Sequence, residues 1–498
     1  MATSRNPPAL AFRADPAAPE PIYLQLTAAL SAAIRAGRIA IGARLPSERI
    51  YAGQLGVSRT TVIAAYQELK AAGLARGHVG RGTVVIADDP DRAPRGAIAW
   101  PQLASRLARS ARPVLLPVKP GLISLGNGWL HPSLVPRAAL AACAVKAIED
   151  PDVMAKSTLM LGLPALREAL VDTLRASGVK ATPGEILVTG GAQQGLHVIA
   201  RAFLSPGDAV VCESPTFPGA FGAFRAAGAE VTGVAMDHEG MDPEALEDAL
   251  VRLRPKLVYL IPSFQCPTGR LMGIARRRRI LELCARFRTP IVESHVYGDI
   301  AFGAAPPSLK SLDTQGVVIL QGSASKAISG GLRLGWLVAP ASAMDLLAPS
   351  KASLDLSTPA LAQSVLATFL GNGDYSRHLP KMRAALRDRC DALLAALATH
   401  CPELGLVAPR GGLYLWAHLP KPVQAYELES AAAGAGVSIR GGDAFLPDGG
   451  PSSHIRLCYG ASAWEEIAPG AQRLGKALRL VLQRHKDPRA RTSAFASV

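Results

Sequence analysis

From about residue 118 to residue 345, helical stretches alternate with short apolar runs rich in β-prone residues. The runs are Ile186–Thr189, Ala209–Glu213, Leu257–Ile261, Pro290–Glu293 and Val317–Gln321. Strands separated by helices cannot pair as tight hairpins, so they imply a mostly parallel sheet covered on both faces. From about residue 346 the pattern opens with helices. It closes in an α+β segment with strands expected near Gly412–Trp416 and His454–Cys458. A large α/β subdomain over about 135–345 and a smaller α+β one over about 346–485 are expected, within a block spanning 118–485.

The first part of the chain obeys a different pattern. Ile22, Leu26, Leu30 and Ile34 recur every four positions, one stripe of a helix. A second helix is expected from Ser47 as N-cap, and a third from Ser58 to about Ala72, with Gly73 at its end. Leu74–Arg76 and Gly82–Ile86 flank a glycine-rich turn and read as a β-hairpin. Three helices and a hairpin over 18–87 make a winged helix-turn-helix, in which the third helix enters the major groove of DNA. Residues 88–117, with prolines at 90, 94, 101 and 113 and five arginines, have linker composition. Residues 1–17 and 486–498 read as loose tails. Residues 1–117 hold 15 Lys/Arg against 7 Asp/Glu, an excess of +8 out of the chain's +15. That share suits a phosphate-binding module.

Three segments carry a resemblance to the GntR family: Leu45-Pro-Ser-Glu-Arg49, Gly56-Val-Ser-Arg-Thr-Thr-Val62 and Gly80-Arg-Gly-Thr-Val-Val85. The resemblance implies DNA contacts from Arg49, from Ser58, Arg59, Thr60 and Thr61 on the first turn of the recognition helix, and from Arg81 at the wing tip. Hydroxyls and free N–H groups there suit phosphate oxygens, and arginine suits phosphate or guanine.

The larger block resembles fold-type-I aminotransferases, through Gln321-Gly-Ser-Ala-Ser-Lys-Ala-Ile-Ser-Gly-Gly-Leu-Arg-Leu-Gly-Trp336, and the resemblance implies a mostly parallel seven-stranded sheet. A GntR module fused to such a block is the architecture of MocR-type regulators. The resemblance makes Lys326 the Schiff-base partner of pyridoxal 5'-phosphate, with Ser323, Ser325 and Arg333 in the phosphate cup. Thr189-Gly-Gly-Ala-Gln-Gln194 follows a strand and opens a helix, which gives Ala192 and Gln193 phosphate-facing amides. Phe217, in Glu213-Ser-Pro-Thr-Phe217, would stack on the cofactor ring and Tyr297 would bond its 3'-oxygen. Arg456 would grip an α-carboxylate.

Three positions depart from the aminotransferase pattern. The aspartate that faces the pyridine nitrogen is replaced by Ser294 or His295 in Val292-Glu-Ser-His-Val-Tyr297, depending on register. Cys266 stands for the asparagine of Asn-Pro-Thr-Gly, and Ser157 for a tyrosine that reaches the partner subunit's phosphate.

The expected function is a DNA-binding transcription regulator whose aminotransferase-like domain senses an amino compound. Two alternatives stay open: an active aminotransferase carrying a DNA-binding module, and a regulator whose sensor no longer holds pyridoxal phosphate. The resemblance implies a homodimer. Seven scattered cysteines without paired or metal-like spacing, and no signal-peptide or membrane-spanning stretch, point to the cytoplasm and to no metal.

Overall fold

The structure, a computed structural model, describes residues 12, 14–15, 18, 20–36, 38–40, 42–78, 82–86, 103, 121–156 and 159–486. Arg81, Ser157, the tail after 486, most of the tail 1–17 and, apart from residue 103, the linker expected over 88–117 lie outside the described residues. Contacts divide the chain into two compact units, 1–106 and 107–498.

In the first unit, helices α1 (Ile22–Arg35), α2 (Glu48–Leu55) and α3 (Arg59–Ala71) precede the antiparallel strands β1 (Ala75–His78) and β2 (Gly82–Val85). The four-residue stripe of α1 buries Leu26, Leu30 and Ile34 against Val62, Tyr66 and Leu69 of α3. Gly56, at φ 66°, ends α2 in the left-handed conformation that a side chain with a Cβ resists, so the chain can turn at once into α3. Ser58 caps α3, accepting from the Thr61 amide at 3.1 Å. Ser47 holds the N-cap position of α2 without a side-chain capping bond.

In the second unit the strands are β3 (Ile186–Thr189), β4 (Ala209–Ser214), β5 (Glu230–Asp237), β6 (Gly240–Met241), β7 (Leu257–Leu260), β8 (Ile291–Ser294), β9 (Val318–Ser323) and β10 (Gly335–Val338). They form one sheet in the order β3-β10-β9-β8-β7-β4-β5-β6, eight strands rather than the seven expected, because the two-residue β6 folds back antiparallel onto the end of β5. The run from β9 through β8, β7 and β4 to β5 is parallel, and β10 runs against both its neighbours. Every residue of β3, β7, β8 and β9 is buried. Helices cover both faces, so these strands read as continuous apolar runs rather than alternating ones. Alternation survives in three dimensions. Tyr259, Val292 and Ile319 join one core, while Val258, Leu260, Ile291 and Val318 join another on the opposite face.

Strands β5 and β10 are absent from the sequence expectation. Gly233 interrupts the β pattern of β5, and β10 is a four-residue strand that begins on a glycine. A second sheet, β11 (Tyr414–His418), β12 (Arg440–Gly441) and β13 (His454–Cys458), runs in the order β11-β13-β12 with antiparallel pairing. The long helices Asp374–His400 and Ile467–Lys486 pack on each other beside it.

Candidate functional site

In a parallel sheet the strand ends that carry the loops of one edge all point the same way, and ligands bind there. Strands β3, β4, β8 and β9 deliver Gly190–Ala192, Pro215–Phe217, His295–Tyr297 and Ala324–Lys326 to that edge. Helix α4 (Ala192–Phe203) starts there, with Gly191 as N-cap at φ 104° and no side chain capping its free amides. A Cβ at Gly191 would lie 2.9 Å from an Arg333 nitrogen, so the guanidinium packs directly against the amide-rich turn. Arg333 itself sits at φ 51°, a strained backbone for a residue with a Cβ. Gln194 fixes the turn: its Oε1 accepts from the Gly190 amide at 2.6 Å, and its Nε2 donates to Asp355 at 2.8 Å. Asp355 is in turn paired with the buried Lys351 at 2.9 Å. Gln193 turns its side chain to the Gly219 carbonyl at 2.8 Å.

Ser325, Lys326 and Arg333 line one cleft of about 630 Å³ together with Gly128, Trp129 and Arg137. The buried Ser323 hydroxyl accepts from the Ser325 amide at 3.1 Å and so shapes the turn. The Lys326 amine donates to the Gly128 carbonyl. Burial of that amine lowers its pKa below the ordinary lysine value. The nearby Cys458 and Cys266 thiols oppose the shift, and the Arg456 and Arg333 guanidiniums add to it. Two residues along the same loop, the Gly126 carbonyl accepts from Arg456. The Arg456 guanidinium lies 4.5 Å from the Tyr414 ring centroid and 4.8 Å from that of Phe445, and reaches Cys266 Sγ at 3.7 Å. Its Nε is buried and has no hydrogen-bond partner among the described residues. Lys326, Arg456 and Cys266 are thus neighbours, although as many as 190 residues separate them in the chain.

Ser294 ends β8 on the face of Val292 and Tyr259, beside the buried Tyr259 phenol. Glu293 points to the opposite face, accepting from the Leu309 and Lys310 amides. His295 follows the strand, its buried Nδ1 without a hydrogen bond among the described residues and 3.8 Å from Glu293 Oε1. Tyr297 hydrogen-bonds Tyr414, hydroxyl to hydroxyl, at 2.9 Å. Burial pushes both phenols above the ordinary tyrosine value, so both are neutral at neutral pH. Phe217 is the N-cap of the helix Pro218–Ala226, partly buried against the core.

Three participants escaped sequence reasoning: Tyr414, the carbonyls of Gly126 and Gly128, and the Gln194–Asp355 brace. Gly128 carried a usable signal, since glycines at 126 and 128 flank a polar residue. A Cβ there would lie 2.2 Å from the Tyr414 hydroxyl.

In the first unit, Arg49, Ser58, Arg59 and Thr60 are exposed and Thr61 is half-buried. The Ser58 hydroxyl bonds those of Thr60 and Thr61, each at 2.8 Å, which gathers three hydroxyls at the start of α3. Arg59 is the first residue of that helix, and neither it nor Arg49 forms an ion pair among the described residues. This is a basic, hydroxyl-rich helix start of the kind that meets a DNA backbone.

Behind the cofactor-side edge, Glu213 is wholly buried on β4. Its Oε2 accepts from the Ile261 amide at 3.0 Å and Gln265 Nε2 at 3.1 Å, and its Oε1 has no partner among the described residues. Burial pushes its pKa up to about 7, against the pull of those two bonds and of Arg270. Below about pH 4 folded and unfolded chains both carry the proton. As pH rises toward 7 the unfolded carboxyl ionises first, so the wild type loses about 3 kcal/mol of stability from this group, and no more above it. Glu213→Gln is expected to remove that slope. Urea unfolding between pH 4 and 8 checks it, and parallel curves for the two proteins would refute it.

Residues 121–474 match the family "Aminotransferase class I and II", and residues 22–85 match "Bacterial regulatory proteins, gntR family". The chain is 31% identical to the uncharacterized HTH-type transcriptional regulator YdfD of Bacillus subtilis, covering 93% of this chain and 98% of that one. It is 31% identical to the probable rhizopine catabolism regulatory protein MocR of Rhizobium meliloti, covering 84% and 86%. Among solved structures it is similar to LysN, an α-aminoadipate aminotransferase from Thermus thermophilus complexed with N-(5'-phosphopyridoxyl)-L-leucine. There the identity is 34% and the TM-score 0.72, over 78% of this chain and 100% of that one. No helix among the described residues is long and apolar enough to cross a membrane. The two family matches on one chain, with full-length regulators as relatives, place it in the MocR-type gntR-family transcription regulators, which join a DNA-binding helix-turn-helix to an aminotransferase class I and II domain.

Proposed function

We propose that this regulator holds pyridoxal phosphate on Lys326 and senses an amino acid or related amine, passing its presence to the helix-turn-helix. The observation that carries the proposal is the pairing of two buried cations, Lys326 and Arg456, on neighbouring carbonyls of one loop. Pyridoxal phosphate, when bound, supplies an aldehyde that a primary amine captures and a ring that withdraws electrons. The residues fit that group. A lysine with a lowered pKa gives up its proton more readily than an ordinary lysine. The Gly191 turn, the open start of α4, Ser325 and the Arg333 guanidinium offer donors to a phosphate. The unpartnered Arg456 Nε, together with the Nη2 that now donates to the Gly126 carbonyl, can bond a carboxylate.

The pair at the aspartate position is neutral. The Ser294 hydroxyl, beside the Tyr259 phenol, does not hold a proton on a pyridine nitrogen as a carboxylate does, so the site favours holding an amine over turning it over. Holding without turnover suits a sensor, whose signal is differential affinity between two states.

A homodimer completes the proposal. Val145, Ile148, Met154, Leu159 and Met160 are 45–64% exposed along one stretch of chain, apolar surface that a second copy would cover. Two copies would read two half-sites on DNA. The seven cysteines are all free and buried, in keeping with work in the cytoplasm.

Wild-type protein titrated with pyridoxal phosphate is expected to gain a visible absorption band that Lys326→Ala lacks, with affinity lower by about tenfold or more in the variant. Identical spectra would refute the cofactor assignment. Ser294→Asp is expected to raise a half-transamination reaction at least about tenfold, or 1.4 kcal/mol of barrier. An unchanged rate with cofactor bound would refute the role given to Ser294.

A further inference from the structure

Cys266 leaves the site one polar group short of the aminotransferase pattern. A thiol is a weak donor, and this one is turned toward Arg456 Nη1 at 3.7 Å. Tyr414 stands beside the gap. Its hydroxyl is 2.9 Å from that of Tyr297, and the two rings meet edge to face, 5.5 Å apart at 72°. The same ring lies under the Arg456 guanidinium. The hydroxyl also abuts Gly128, whose carbonyl is the acceptor for Lys326. One side chain therefore touches the tyrosine, the arginine and the loop that holds the lysine.

We infer that Tyr414 is a positioning residue that makes up for the polar group Cys266 does not supply, holding the Tyr297 hydroxyl toward the 3'-oxygen of the cofactor. A buried phenol needs a partner, because leaving it unpaired costs about 1–3 kcal/mol. Each of these two hydroxyls has the other as its hydrogen-bond partner. When Tyr297 donates outward, its oxygen is left to accept, and Tyr414 is the donor within reach. A chain of two hydroxyls is polarised in one direction, and its outer O–H is a stronger donor than that of a lone phenol. The inference rests on the cofactor reading above and adds a named residue to it.

The experiment uses the full chain titrated with pyridoxal phosphate, as wild type, Tyr414→Phe, Cys266→Asn and the double variant. Phenylalanine keeps the ring under Arg456, so only the hydroxyl is removed. Tyr414→Phe is expected to weaken cofactor binding about tenfold and to shift the pH at which the visible band changes form. In the Cys266→Asn background the same change is expected to cost less than about threefold, because the asparagine amide bonds the 3'-oxygen itself. Wild-type affinity in Tyr414→Phe, or an equal reduction in both backgrounds, would overturn the inference while leaving the cofactor reading intact. If Tyr414→Phe folds poorly, Tyr297→Phe/Tyr414→Phe removes the stranded hydroxyl. It should show the reduced affinity with normal thermal stability, and wild-type affinity there overturns the inference too. A wild type without any lysine-dependent band would overturn both readings together.

Discussion

A buried cation must be given acceptors, and this site pairs two of them with no carboxylate among the described residues. Lys326 donates to the Gly128 carbonyl and Arg456 to the Gly126 carbonyl, and Arg456 is further held between the faces of Tyr414 and Phe445. Carbonyls and ring faces stabilise a cation less than an ion pair does, so both groups remain available to a ligand that offers more. The loop 126–128 also ties the start of the second unit to the large sheet through Lys326, and to the small sheet through Arg456 on β13. A ligand that takes these cations from the two carbonyls necessarily acts on that loop.

Much of this was legible in the residues. The buried runs at 186–189, 257–260 and 291–294 stood out because a sheet covered on both faces needs unbroken apolar strands. The four-residue stripe of α1 and the Ser58 cap of α3 are local facts, fixed within a turn or two of the helix. The choice between Ser294 and His295 was not local, and it needed the direction in which β8 presents its side chains. Tyr414 was invisible for a stronger reason. Its partner Tyr297 is 117 residues away, and Gly128, which it crowds, is further still. Spacing along a chain carries no trace of such a contact. The strands β5 and β10 were hidden by glycines that the pattern treats as breaks.

The aminotransferase frame is shared with enzymes, and the difference lies in a few polar atoms. LysN is similar over its whole length, so the fold alone cannot separate catalysis from sensing. Here Ser325, Lys326 and Arg333 share one cleft, and β8 ends on the neutral Ser294. Retained binding with weakened chemistry is what a domain needs if its task is to report an amine to DNA. The hydroxyl-lined, basic start of α3 supplies the other end of that report.

The most direct measurement is the affinity of the pyridoxal-phosphate-loaded protein for DNA from upstream of its own coding region. It should be made with and without each amino acid or amine that perturbs the visible band, in wild type and in Lys326→Ala. Such a compound is expected to change the wild-type Kd by about 5- to 150-fold and to leave that of the variant unmoved. A compound that shifts the band yet leaves DNA affinity unchanged, or one that acts equally on both proteins, would contradict a sensor built on Lys326.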